Sequence, residues 1–143
     1  MEKINKIVLV LTTECLHRCK YCFDRAYYPL KTINYTAQDI KNFLDLNKEY
    51  LAEEVEIIIQ GGDIFLAPNL DEILEMLYNY PHNLIFRFFL STLPIKMFYK
   101  YPILNSAKVG ISIDGPRHVH NLNRKRIDGK NSFDEIEYLL HMT

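Results

Sequence analysis

The stretch KIVLVLTTECLHRCKYC, residues 6–22, joins a run of branched and straight aliphatic residues directly to three closely spaced cysteines. Lys6–Leu11 is short and almost wholly apolar, the pattern of a parallel strand buried on both faces. The loop after it carries Cys15, Cys19 and Cys22, which are all the cysteines of the chain and fall within eight residues. In a reducing compartment such a cluster reads as metal or cofactor ligation before it reads as a disulfide framework.

Working outward, the same unit repeats. Thr36 opens a helix expected to run to about Leu51, with Ile40, Phe43, Leu44 and Leu51 on one face. Val55–Gln60 is a second strand ending in Gly61-Gly62-Asp63, and a helix bearing Leu70, Ile73, Leu74 and Leu77 follows Pro68 as far as about Asn79. Leu84–Leu90 is a third strand, followed by Ser91-Thr92 and a helical stretch from Pro94 to Tyr101. Lys108–Ile113 is a fourth, leading into Asp114-Gly115-Pro116 and a basic loop to Lys130; Ser132 is the expected cap of a last helix with Phe133, Ile136 and Leu140 inward, which meets His141-Met142-Thr143 without a stop signal. Strands alternating with helices predict an α/β chain with a parallel sheet, a partial (βα) barrel of four βα units. Four strands leave apolar edges to be covered by a partner chain, a second copy or further sequence.

The chain has 143 residues, 48% hydrophobic and 24% charged, with 5 Gly and 6 Pro, which fits one globular domain with a core and excludes a disordered or collagenous protein. Its formal net charge of −1 argues against a large phosphate-binding footprint. Arg117–Lys130 holds five Lys/Arg against Asp128, but no aromatic residue is interleaved to stack bases, so nucleic acid is not an expected partner and the segment reads as a solvated loop. His118 and His120 lie in that loop and receive no acid–base role. No apolar run reaches the roughly 18 residues of a membrane span, and the start MEKINKIVLVLTTEC lacks a signal-peptide pattern. A cytoplasmic location is the expectation.

In parallel α/β architectures ligands gather at the carboxyl ends of the strands. The cysteines, Gly61-Gly62-Asp63, Ser91-Thr92 and Ser112 with Asp114-Gly115-Pro116 each stand at such an end. Three thiolates in so short a loop can surround one [4Fe–4S] cubane and leave one iron open to a small molecule. Two other readings remain: a zinc site with His17 as fourth donor, and three unligated thiols.

Cys15-x3-Cys19-x-Tyr21-Cys22 resembles the CxxxCxΦC signature of the radical SAM superfamily, and Gly61-Gly62-Asp63 is similar to its GGE motif with Asp in place of Glu. Ser112-Ile113-Asp114-Gly115-Pro116, with His120-Asn121, Arg124, Gly129 and Ser132-Phe133, is similar to the SxDGPxxxHDxxR…GxxSF stretch of anaerobic sulfatase maturases and other peptide-modifying (SPASM-type) members. The resemblance covers nearly the whole chain.

The resemblance implies a [4Fe–4S] cluster on Cys15, Cys19 and Cys22, and S-adenosylmethionine (SAM) chelated to the open iron and cleaved reductively to a 5′-deoxyadenosyl radical. It places Gly61, Gly62 and Asp63 near the methionine ammonium, Arg124 near its carboxylate, Ser112 near the same group or the ribose, Thr92 near the ribose and Tyr21 near the adenine. Implied partners are a reductant such as a flavodoxin or ferredoxin, and a peptide or protein substrate. Cores of this kind have six βα units, so residues 1–143 read as the N-terminal portion of a radical SAM core, truncated before the last strands and without an auxiliary-cluster domain. A barrel completed by a second chain or a homodimer, and incompetence of the chain alone, are corollary expectations. The competing functions are an accessory or redox module that binds the cluster or SAM without turnover, and a zinc-stapled interaction domain.

Overall fold

Each apolar run becomes a strand of one parallel sheet. In the computed structural model, which describes residues 1–23 and 35–141, the elements are β1 (Ile4–Val10), β2 (His17–Cys19), α1 (Ala37–Leu46), β3 (Leu51–Gln60), α2 (Leu70–Asn79), β4 (Asn83–Leu90), α3 (Lys96–Lys100), α4 (Ile103–Ser106), β5 (Lys108–Ile111), α5 (Arg117–Asn123), β6 (Arg124–Arg126) and α6 (Asp134–Leu140). Short 3-10 turns occupy Lys48–Tyr50 and Ile64–Leu66. The main sheet has the order β1-β3-β4-β5, all parallel, with Val8 opposite Ile58, Ile58 opposite Arg87 and Arg87 opposite Lys108. The expected partial barrel of parallel βα units is the observed architecture. The expected segments 24–34 and 142–143 lie outside the described residues.

One face of the sheet carries the core. Val55, Ile57, Ile59, Phe88 and Leu90 are buried against Ile40 and Leu44 of α1 and Ile73, Leu74 and Leu77 of α2. Among the described residues the opposite face is largely uncovered: Val8 is 49% exposed, Ile85 40% and Phe89 45%. The strands are therefore apolar on both faces but covered on one, which corrects the expectation of two-sided burial for the first strand. Lower on that face Glu56 is bonded by Arg87 at 2.7 Å and approached by Lys6 at 3.5 Å.

Several boundaries move for local reasons. Helix α1 begins as expected at Thr36, through a capping box with Asp39, but stops at Leu46 rather than Leu51. Asn47 closes it by turning both its backbone and side-chain N–H onto the Phe43 carbonyl, and Leu51 joins the sheet opposite Ile4. Phe43 is 46% exposed instead of facing the core. Ser132 is buried but does not cap α6 with its side chain; its hydroxyl donates to Asn121 Oδ1 at 3.5 Å, and the helix starts at Asp134. The fourth strand ends at Ile111, although Ser112 N–H still reaches the Leu90 carbonyl.

The basic segment after Pro116 is the largest departure. It forms α5 and then β6, which pairs antiparallel with β2 inside the cysteine loop: His17 stands opposite Arg126, Arg18 opposite Lys125 and Cys19 opposite Arg124. Two flanking backbone bonds, Ile127 N–H to Leu16 O and Lys20 N–H to Asn123 O, extend the ribbon. Among the described residues no helix is long and apolar enough to cross a membrane.

Candidate functional site

The cysteine loop is anchored at its root. Beyond β1 and β3 the two segments keep pairing, with Gly62 N–H bonded to Thr12 O and Asp63 N–H to Glu14 O, both at 2.8 Å. This approach is possible only without side chains: a Cβ on Gly61, whose φ is 145°, would stand 2.3 Å from Thr12 O, and one on Gly62 would stand 2.1 Å from Glu14 O. The glycine pair thus holds the loop against the end of β3.

A cavity of about 380 Å³ opens above this weld. It brings together the three cysteines with Tyr21, Gly61, Gly62, Ser112 and Arg124, and Phe89 and Leu90 contribute apolar surface. Of the residues expected at the site, Asp63 and Thr92 do not line this cavity, although the Asp63 carboxylate is near enough to Cys15 to raise its thiol. They line a neighbouring cavity of about 400 Å³ with Leu16, Glu135 and Tyr138. Asp63 Oδ1 accepts from Phe65 N–H at 3.0 Å, so the short carboxylate caps the 3-10 turn that follows it. Burial pushes its pKa up, opposed by that hydrogen bond and by Arg126. Thr92 is 9% exposed at the foot of the next connection.

Arg124 organises one wall. Its Nε donates to Asp114 Oδ1 at 3.0 Å, its Nη1 lies 3.7 Å from Cys19 Sγ, and its guanidinium sits 5.4 Å from the centre of the Tyr21 ring. The Tyr21 hydroxyl donates to Asp114 Oδ2. Burial works against a charged Asp114, yet the bonds from Tyr21 and Arg124 outweigh it and hold its carboxyl below the usual range. Burial and the bond to Asp114 push Tyr21 up to about 12. Asp114 itself is fixed from behind, where its N–H donates to buried His120 Nδ1 at 3.3 Å.

The thiols of Cys15 and Cys19 are raised above the ordinary value, chiefly by burial; Arg124 opposes the shift at Cys19. Both are therefore protonated at neutral pH in the metal-free chain and release protons on ligation. His17, 2% exposed, places Nε2 at 2.9 Å from Glu135 Oε2 and Nδ1 at 3.8 Å from Cys15 Sγ. Burial first, and Arg126 second, depress its pKa to about 4. Glu135 was not legible as part of the site: it lies 118 residues from His17, and no short-range pattern connects them.

The three thiols border one cavity, although among the described residues no group of three or more His, Cys, Asp or Glu side chains is placed to hold a metal ion. A glycine cradle also borders the cavity, a guanidinium and a hydroxyl face it, and its volume lies within the range of about 300–1,000 Å³ typical of small-molecule sites.

The sequence pattern of the radical SAM superfamily matches residues 9–142. The chain belongs to that superfamily. Radical SAM proteins use a [4Fe–4S] cluster together with SAM, the cofactors that the resemblance implied. This radical SAM chain is 26% identical over 154 residues to a cysteine-type anaerobic sulfatase-maturating enzyme of Clostridium perfringens, covering 96% of the chain and 40% of that relative. It is 36% identical over 87 residues to L-lysine 2,3-aminomutase of Buchnera aphidicola, covering 54% of the chain and 23% of that enzyme. Its fold superimposes with a TM-score of 0.74 on native anSMEcpe with bound AdoMet, at 22% identity over 97% of the chain and 40% of that structure. Against Streptococcus suis SuiB bound to S-adenosylmethionine the TM-score is 0.64, at 17% identity over 98% of the chain and 30% of that structure. The chain thus spans about 40% of the length of the sulfatase-maturating relative.

Proposed function

We propose that this chain holds a [4Fe–4S] cluster on Cys15, Cys19 and Cys22 and presents its open iron to SAM, as the SAM-binding portion of an enzyme that modifies a peptide or protein by a radical route. The observation that carries the reading is the convergence of three thiols, Gly61, Gly62, Ser112 and Arg124 on one cavity. A [4Fe–4S] cluster held by Cys15, Cys19 and Cys22 would supply, when bound, the electron for reductive cleavage of SAM.

The chain's own residues would divide the work. Gly61 and Gly62 bring main-chain polar groups to the cavity wall, where the methionine ammonium would be received. Arg124 offers a planar fork to the methionine carboxylate and Ser112 a hydroxyl beside it. Tyr21 borders the cavity with an aromatic edge suited to the adenine. Asp63 and Thr92 act from the adjoining cavity, Asp63 by fixing the turn behind the glycines. Residues 1–143 would correspond to the N-terminal portion of a radical SAM core, and the electron donor would be a low-potential protein such as a flavodoxin or ferredoxin. Substrate choice points toward peptides because 96% of the chain aligns with a sulfatase-maturating enzyme.

The test is anaerobic reconstitution with iron and sulfide, EPR after dithionite reduction, and chromatographic detection of 5′-deoxyadenosine. Cluster assembly with SAM-dependent 5′-deoxyadenosine is the expected result, and Cys19→Ala should abolish the brown chromophore. A cluster that perturbs its EPR signal on adding SAM but yields no 5′-deoxyadenosine would assign the chain to binding without turnover. Stoichiometric zinc uptake with no cubane would overturn the reading.

A further inference from the structure

We propose that His17 and Glu135 form a positioning pair for Cys15, so that the surroundings of the first sulfur are set by a helix from the opposite end of the chain. The functional side of this proposal rests on the cluster reading; the geometry does not.

A buried imidazole needs a partner for each ring nitrogen. His17, with its side chain 1% exposed, gives Nε2 to Glu135 Oε2 at 2.9 Å and turns Nδ1 toward Cys15 Sγ at 3.8 Å. The main chain of the same residue converges on the same atom, since His17 N–H donates to Cys15 Sγ at 3.4 Å. Cys15 therefore meets one residue twice, through its backbone and through its ring.

Glu135 is in turn held by Arg126, with which its other carboxylate oxygen is ion-paired. Arg126 stands opposite His17 in the β2–β6 ribbon, and Glu135 sits on α6 beside fully buried Ile136. The three side chains belong to three elements, and the Glu135 carboxylate joins the other two, which holds the His17 ring through its Nε2. Hydrogen bonds and dipoles around ligand sulfurs tune a cluster's reduction potential, and partners behind a ligand commonly orient it. A residue that only tied α6 to the loop would leave that potential unchanged.

The experiment uses the full chain with His17→Leu, His17→Gln, Glu135→Ala and Glu135→Gln. In metal-free protein, iodoacetamide labelling read by mass spectrometry compares Cys15 with Cys19. After reconstitution, an EPR-monitored redox titration gives the midpoint potential. The expected result is faster labelling of Cys15 in Glu135→Ala with Cys19 unchanged, potentials of Glu135→Ala and His17→Leu displaced in the same direction, and recovery toward wild type in the two Gln variants. Unchanged Cys15 labelling in Glu135→Ala overturns the pairing whether or not a cluster forms, and so does a wild-type potential in a folded Glu135→Ala protein. Should wild type assemble no cluster while Cys15 labelling still responds to Glu135→Ala, the cluster reading falls and the pairing stands. Glu135 is partly exposed and outside the core, so its variants remain informative if His17→Leu fails to fold.

Discussion

The Arg124 guanidinium is shared between Asp114, the ring of Tyr21 and the sulfur of Cys19. A ligand carboxylate arriving in the cavity would find the guanidinium already oriented by that ion pair. Arg124→Ala is expected to weaken SAM binding to reconstituted protein by about 1.5–3 kcal/mol, the scale of a charge-assisted hydrogen bond. Equilibrium dialysis with labelled SAM measures it, and an unchanged dissociation constant would mean that the arginine serves Asp114 alone. His120 allows a pH prediction. Its Nδ1 must be unprotonated to accept from Asp114 N–H, and burial followed by Arg124 holds its pKa below the ordinary value. The unfolded chain takes up this proton at about pH 6.5 while the folded chain resists it, so stability falls as pH drops below that point. Urea midpoints followed downward from about pH 7.5 should therefore decline more steeply in wild type than in His120→Asn.

Among the elements, the junction between the end of β3 and the root of the cysteine loop concentrates the most constraint. The two glycines accept backbone contact where any Cβ would overlap a carbonyl oxygen. Gly62→Ala is expected to cost about 1–3 kcal/mol of stability, the range for overpacking, and to lower cluster occupancy because the loop root must move. Chemical denaturation and iron content measure the two effects; wild-type values for both would show that the loop adjusts freely. The β2–β6 ribbon acts from the other side. Its member Arg124–Arg126 reads in sequence as a row of solvated cations, because three residues carry no strand periodicity and their pairing is with a segment over a hundred positions earlier. Helix α1 shows the opposite case, since its capping box is written within four residues.

For the whole molecule, a single-sided core supports four parallel strands and leaves their opposite face largely uncovered among the described residues. Phe88 is fully buried at the centre of that core, between β3 and β5. Phe88→Ala should destabilise the fold by about 3–5 kcal/mol without touching the cysteine cavity. Circular dichroism during urea unfolding would register the loss, and a cost below about 1 kcal/mol would mean that the packing relaxes around the gap. Phe89, one position along, points the other way and lines the cavity; exchanging it is expected to alter ligand binding more than stability.

The parallel βα order, the strand ends that gather the site, and the sulfur loop were legible in sequence. Apolar periodicity, capping residues and cysteine spacing are local properties, readable without knowing what lies across the molecule. The tertiary structure decided which face of the strands is covered, that the basic segment clamps the cysteine loop, that Asp63 turns away into a cap, and that Glu135 stands behind His17. Each of these depends on contacts between residues distant in the chain, whose strength comes from burial and pairing geometry rather than from the residue types alone.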